Sequence, residues 1–427
     1  MQAIQTKRPI AFKKQIIPPW QWHLVFDAVL RTIMQENDGR DIMVTEATGI
    51  PWWDGKRPVK NMLVFGGGGM GDRVQSTPAF RKLAQRIDAP IDVAINEYDE
   101  WLNLPYIANF QPWILPWDYI TSYDAVCSFE NVLGQPDERT THLAELFARR
   151  CFVSPLVPGV APFDPGEFEC DWAWGYNERE RITWLPEKDP RNIWVGLQVA
   201  SHGFSRTWPL EFVIDLAMRL SKTRQHNIVV ILLGSAKQSP KWAGPARVPE
   251  APSLPEPPQD IVNLCGRLTG VRQLAAVIDK LDFLVAPDSG PLHLAGVLNT
   301  PSIGLYGPHI YETRGLWFPT QRPIVARDYA DPRCPCLCHS DQQIAQLPCG
   351  ADHCRLMAMI SVDEVFKEVL GWIDEAKASL ERQDNTCFLC GKTFTGKAGV
   401  RSHQKQKHTA EELQASAKLL KDANLRP

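Results

Sequence analysis

Several groups of residues in this 427-residue sequence have the types and spacing that chemistry requires. Met70-Gly71-Asp72 follows the run Gly66-Gly67-Gly68-Gly69 and sets a carboxylate at the start of a helical pattern. There it can act as a general base or simply cap the helix. Asp288-Ser289-Gly290-Pro291-Leu292-His293 runs from a strand into a helix, with Pro291 starting the helix at no hydrogen-bond cost and free amides converging on Asp288 and Ser289. Such a site suits a diphosphate. Upstream, Ser201-His202 and Arg206-Thr207 supply hydroxyls and a guanidinium that can grip phosphate oxygens in bidentate fashion. Each residue also has a bland reading: Asp72 as cap, Arg206 as a solvated charge, His293 as a core histidine.

Gly66-x-Gly68-x-x-Gly71 also fits the dinucleotide fingerprint, with Asp88 or Asp92 near the expected acidic position. That leaves an NAD-dependent oxidoreductase as a remote reading.

Cysteines form two further groups. Cys387-x2-Cys390-x12-His403-x4-His408 has the ligand count and spacing of a tetrahedral Cys2His2 zinc site, with Phe394 and Val400 placed for a small ββα core. So short a unit folds on its metal. Its base-reading positions, Gly396, Gly399 and Ser402, carry almost no donor or acceptor reach. Lys392, Lys397, Arg401, Lys405 and Lys407 suit phosphate contacts to duplex DNA instead. A protein-binding or purely structural finger is the alternative. Cys334, Cys336, Cys338, Cys349 and Cys354 have the thiols for a second metal site, but the C-x-C-x-C spacing is not that of a standard knuckle, and free or redox-active thiols fit equally.

The elements that must hold these groups read as α/β. Strand 59–65, the glycine turn and a helix over 72–87 open the first unit. Strands 91–95 and 125–129 and a helix near 138–151 extend it. Residues 164–192 have no stable period and mark a boundary near 185–192. A second series follows: strands 193–199, 227–233, 261–264, 282–286 and 302–306 alternate with helices 210–221, 271–281 and 291–298, giving another doubly wound sheet. The proline-rich stretch 239–259 reads as an extended surface insertion, and 361–384 as an amphipathic helix leading outward. The predicted organisation is an extension over 1–58, a first Rossmann-like domain over 59–190, a second over 191–384, the finger over 385–410 and a basic tail to 427.

MGDRVQSTPAFRKL at 70–83, SHGFSRTWPLEFVIDLA at 201–217 and VAPDSGPLHLAGVLNTPSIGLYGP at 285–308 together resemble the ADP-heptose:lipopolysaccharide heptosyltransferases, inverting glycosyltransferases, over roughly residues 59–310. The resemblance implies the GT-B architecture, two Rossmann-like domains facing a cleft, with 59–190 the acceptor domain and 191–384 the nucleotide-sugar domain. It implies Asp72 as the base that takes the acceptor proton, with Gly71, Ser201, His202, Arg206, Asp288, Ser289, Gly290 and His293 holding the diphosphate donor, an ADP-sugar, without metal. The sequence departs from the family at Gly234-Ser235-Ala236-Lys237-Gln238, where a nucleoside-contacting Glu is usual, and at Arg206, where Lys is usual.

Hydrophobic residues make up 44% and charged residues 22%, with a net charge of -3, which excludes a disordered or rod-like chain. The charge is uneven: residues 385–427 hold eight Lys+Arg against three Asp+Glu, leaving residues 1–384 at -8. No signal peptide or membrane-length apolar run is readable, and unevenly spaced thiols point to the reduced cytoplasm. Ten of the 15 Trp precede residue 190, where they serve as core residues or as stacking faces. The composite expectation is an inverting glycosyltransferase. Its acceptor is a hydroxylated DNA base reached through the basic finger or, alternatively, a lipopolysaccharide core glycan. A non-catalytic GT-B scaffold binding nucleotide or nucleic acid is the reading from another class.

Overall fold

The computed structural model describes residues 2–12, 15–25, 27–37, 41–46, 48–53, 57–129, 132, 140–151, 169–175, 178, 185, 187–201, 204–223, 226–234, 260–326 and 354–384. The chain divides into two compact units, Met1–Val362 and Asp363–Pro427.

The first unit opens with β1 (Gln2–Thr6), β2 (Ile10–Phe12), β3 (Gln15–Ile17), β4 (His23–Val25), α1 (Asp27–Glu36) and β5 (Ile42–Glu46). Then come β6 (Met62–Phe65), α2 (Met70–Ile87), β7 (Ile91–Ala94), β8 (Ile107–Gln111), β9 (Leu115–Pro116), α3 (Trp117–Thr121), β10 (Ala125–Ser128) and α4 (Leu143–Cys151). Strands β6, β7, β8 and β10 form a parallel sheet in the order β10-β6-β7-β8. Its central strand β6 is buried on both faces, as the continuous run Met-Leu-Val-Phe requires. Met62 and Val64 join Phe80, Leu83 and Phe147 from α2 and α4. Leu63 and Phe65 join Ile4, Leu24 and Ile33 from the leader.

The leader is therefore no loose extension. With β9 it forms an antiparallel sheet, β5-β1-β4-β9, that covers the face of the parallel sheet where a Rossmann unit ordinarily has helices. Of the Trp before residue 190, Trp53 and Trp101 are buried in these cores as large side chains, and Trp52 and Trp113 are partly buried against them.

The second half continues with β11 (Ile193–Gln198), α5 (Leu210–Ser221), β12 (Ile228–Leu233), β13 (Ile261–Asn263), α6 (Val271–Ile278), β14 (Phe283–Pro287), α7 (Gly290–Val297), β15 (Ser302–Tyr306), α8 (Tyr311–Arg314), β16 (Gln321–Val325) and α9 (Arg355–Met359). Its six strands run in the order β13-β12-β11-β14-β15-β16, the doubly wound Rossmann order, with every pairing parallel. The order reverses between β11 and β14. Open α/β sheets bind ligands outside the strand ends at that reversal, and Ser201 follows β11 while Asp288 follows β14.

Helix α2 joins the halves: Phe80 and Leu83 lie in the first core, Val74 in the second. Of the second unit, α10 (Val362–Asp384, its first residue still in the first unit) is described, with Val365, Val369 and Ile373 on one stripe. Among the described residues no helix is long and apolar enough to cross a membrane.

Candidate functional site

The glycine turn after β6 is shaped by close approach. A Cβ on Gly66 would stand 2.6 Å from the Trp101 ring, and Gly68 has a φ of +85°, with Asp72 Cβ 2.5 Å from where its own Cβ would be. Arg73, buried beneath the turn, pairs with Glu100 through two bonds of 2.8 and 2.9 Å and donates to Gly68 O at 2.9 Å. Burial alone would lower the Arg73 pKa, but the bonds and charge of Glu100 outweigh it and raise it. The guanidinium is thereby a fixed cation under the turn.

Asp72 Oδ2 accepts the Gly69 N–H at 2.7 Å, so the carboxylate does cap α2 from its third residue. Farther along, Pro78 cannot donate to Val74 O, and the Thr77 hydroxyl takes that acceptor at 2.8 Å. The dinucleotide reading weakens here. Side chains occupy the space beside Gly66, Gly68 and Gly71, and Asp92 already accepts from Tyr123 at 2.7 Å and Asn109 at 2.9 Å.

On the other side, Asp288 is the hub. Its Oδ1 lies 3.2 Å from His293 Nε2, and His309 Nδ1 donates to Oδ2 in a short bond. Arg206 Nη1 donates to Asp288 O at 3.2 Å and lies 3.9 Å from Oδ2. Burial would raise the Asp288 pKa, but the bonds and charges of the two histidines win and hold the carboxyl well below its ordinary range. For His309, burial is the larger effect and lowers its pKa against the pull of Asp288. A buried carboxylate ringed by donors is a fixed anion that orients cations and imidazoles toward the helix start.

Ser289 caps α7 by backbone only: its hydroxyl turns back to Pro287 O at 2.8 Å. The Ser201 hydroxyl meets Thr207 Oγ1 at 3.1 Å.

The halves touch at these helix starts. A Cβ on Gly71 would come within 2.4 Å of the His293 ring, and one on Gly290 within 2.5 Å of Met70 Sδ. At this point α2 and α7 are in contact. Gln75, fully buried on α2, donates from Nε2 to His293 Nδ1 at 2.9 Å and to Arg314 O at 3.0 Å. That makes Nδ1 the acceptor and leaves the Nε2–H of His293 to face Asp288.

Residues 173–340 match glycosyltransferase family 9 (heptosyltransferase). The chain is 49% identical over 47 residues to a lipopolysaccharide core heptosyltransferase, OpsX, of Haemophilus influenzae, covering 11% of this chain and 13% of that protein. It is 22% identical over 171 residues to lipooligosaccharide heptosyltransferase 2 of Campylobacter jejuni, 40% of this chain and 48% of the relative. Among solved structures, the ADP-heptose lipopolysaccharide heptosyltransferase II of E. coli superposes with a TM-score of 0.51 at 17% identity, covering 74% of this chain and all of that one. Residues 173–340 are thus similar to family 9, and the fold is GT-B-like. The chain spans about half or less of the length of these curated relatives.

Within the family 9 region and its partner half, the structure brings Gly71, Arg206, Asp288, Gly290 and His293 together; Asp72 adjoins them in the chain, and Ser201 is tied to the Arg206 turn through Thr207. His202 lies outside the described residues, as do Cys334, Cys336, Cys338, Cys349, Cys387, Cys390, His403 and His408. Cys354 is described, buried at the start of α9. Among the described residues no group of three or more His, Cys, Asp or Glu side chains is placed so that it could hold a metal ion. Sequence reasoning missed Gln75, His309 and Arg314. Gln75 sits inside the quoted 70–83 block, and His309 stands one residue past the 285–308 block; a polar residue on the buried face of α2 was the available signal.

Proposed function

We propose that the protein is an inverting glycosyltransferase that moves a heptose-type sugar from an ADP-sugar to a hydroxyl of a lipopolysaccharide-type core glycan. The observation that carries this reading is the convergence of the Asp72 helix start with the Asp288–His293 helix start, at the strand-order reversal of a family 9 region. In the proposed reaction Asp72 takes the proton of the acceptor hydroxyl as its oxygen attacks the anomeric carbon. The ADP leaves from the opposite face, its diphosphate held by Arg206, Ser201, His202 and the free amides of Ser289 and Gly290. General-base assistance is worth about 10²- to 10⁴-fold, and fixed donors at the leaving oxygens contribute in the same sense.

The named relatives act on lipopolysaccharide or lipooligosaccharide, which favours the glycan over a hydroxylated DNA base. Thiol-rich composition supports a cytoplasmic location, and the Cys387, Cys390, His403 and His408 spacing supports a structural zinc finger attached to the enzyme. The test is ADP release and mass gain of the acceptor with ADP-heptose and a truncated lipopolysaccharide core. Transfer to hydroxymethylated DNA and none to the glycan would reverse the choice of acceptor; ADP-heptose binding without turnover on either would favour the scaffold.

A further inference from the structure

Gln75 is fully buried on α2, where it meets His293 and Arg314 of the second half. Its Oε1 has no hydrogen-bond partner among the described residues. A buried amide with an unpaired oxygen costs free energy that an apolar side chain of similar size would not, so packing alone does not account for a glutamine here. What the amide supplies is its two N–H bonds, one to Arg314 O at 3.0 Å and one to His293 Nδ1 at 2.9 Å.

Those bonds fix the orientation of both side chains. Arg314 O is a backbone carbonyl and can only accept, so it decides which end of the amide it meets. Were the amide turned over, Oε1 would face that carbonyl, two acceptors in contact. With Nε2 of Gln75 held in place, its second N–H points at the imidazole. The farther ring nitrogen is 3.4 Å away, which leaves Nδ1 as the acceptor. A ring nitrogen that accepts must present its lone pair, and the ring proton then sits on Nε2. That nitrogen faces Asp288 Oδ1 at 3.2 Å. The other tautomer would set a lone pair against the carboxylate. Asp288 in turn holds Arg206, whose Nη1 donates to its carbonyl at 3.2 Å. Gln75 also stands three residues after Asp72, on the same side of α2.

We propose that Gln75 is a positioning residue: it fixes the ring proton of His293 on Nε2 and thereby holds Asp288 and Arg206 ready for the donor diphosphate, from the helix that carries Asp72. The inference rests on the reading of Asp288 and Arg206 as donor site given above.

Nitrogen NMR of the full-length protein carrying isotope-labelled histidine reads the proton directly, with the His293 signal among the ten His assigned by its loss in His293→Asn. Ligand-free wild type should carry the proton on Nε2. In Gln75→Met, similar in size but without a donor, the share of His293 protonated at Nδ1 should rise. ADP affinity by calorimetry should fall roughly two- to tenfold, the worth of about one hydrogen bond. A wild-type proton on Nδ1 overturns the proposal, and that measurement needs no variant to fold. So does an unchanged proton position in Gln75→Met; weaker ADP binding without a moved proton would make Gln75 a packing residue. A moved proton with unchanged ADP affinity severs the link to the donor site and overturns it as well. Wild type that binds no ADP defeats the donor reading, while the ligand-free spectrum still judges Gln75.

Discussion

Gly71 and His293 are packed so closely that a methyl group on Gly71 would stand 2.4 Å from the imidazole Cδ2. The ring cannot swing aside cheaply, because Gln75 holds one nitrogen at 2.9 Å and Asp288 faces the other at 3.2 Å. Alanine is worth up to about 1 kcal/mol over glycine inside a helix, whereas overpacking a fixed contact costs about 1–3 kcal/mol. Gly71→Ala should therefore lower the unfolding free energy despite its better helix propensity, and urea titration reads the sign. A stabilised variant would mean the two helix starts part without cost.

Asp72 holds two roles that substitution can separate. Asparagine keeps an oxygen to accept the Gly69 N–H, so Asp72→Asn should change stability little, while Asp72→Ala loses the cap and costs about 0.5–2 kcal/mol. Both should lose about 10²-fold or more in kcat if the carboxylate is the base. A variant Asp72→Asn with more than about a tenth of the wild-type rate would confine Asp72 to capping.

These two residues mark how far the sequence could be read. Strands such as Ile228–Leu233 and Ser302–Tyr306 were legible because a parallel strand buried on both faces writes a continuous apolar run. The glycine turn and Asp288 were legible because tight turns and helix starts demand particular residue types. The leader sheet was not. Its strands are two to five residues long, and β4 pairs with β9 some 90 residues on, a partnership no local pattern records. Gln75, His309 and Arg314 were hidden for a related reason: their partners lie on distant elements, and only the docking of α2 against α7 and α8 gives a buried amide its two acceptors.

Arg206 spends its guanidinium on Asp288 in this structure, with one bond of 3.2 Å to the carbonyl. A diphosphate would compete for the same cation as a bidentate partner. Arg206→Ala should weaken ADP binding several-fold or more by calorimetry, and Arg206→Lys should recover part of it because a point charge remains. Unchanged affinity in Arg206→Ala would reduce the residue to a support for Asp288.

His142 stacks on Trp317 with ring centroids 3.8 Å apart and accepts the Ala144 N–H. Burial, then the charges of His293 and Arg314, draw its pKa down to about 3. A histidine with a depressed pKa binds its proton more readily when unfolded, so its contribution is full above pH 6.5 and is lost as pH falls toward 3. The slope approaches about 1.4 kcal/mol per pH unit for one proton. His309 and His23, also lowered chiefly by burial, act in the same direction. His142→Phe keeps an aromatic face on Trp317 and should flatten the acid limb by about one proton in urea titrations from pH 6.5 to 4. An unaltered slope would mean His142 is protonated in the fold.

The finger prediction rests on spacing alone. Cys387-x2-Cys390-x12-His403-x4-His408 offers two thiolates and two imidazoles to one tetrahedral ion, and a unit this short has no apolar core able to fold without it. Purified full-length protein should carry one zinc by elemental analysis. Cys387→Ala or His403→Ala should release it while leaving ADP affinity and the main unfolding transition unchanged, because every residue proposed to hold the donor lies between 71 and 293. Two equivalents would assign the second to the thiols between 334 and 354, of which Cys354 is buried at the start of α9. None would remove the finger, and with it the reason to look for nucleic acid. If zinc is present, a gel-shift titration at low salt decides its use. Phosphate contacts by the five cations between 392 and 407 would give weak, sequence-indifferent binding, steeply weakened by salt at roughly 0.9 log units per decade for each phosphate neutralised. Zinc-loaded protein that shifts no duplex would leave the finger as a structural or protein-binding element on a glycan-directed enzyme.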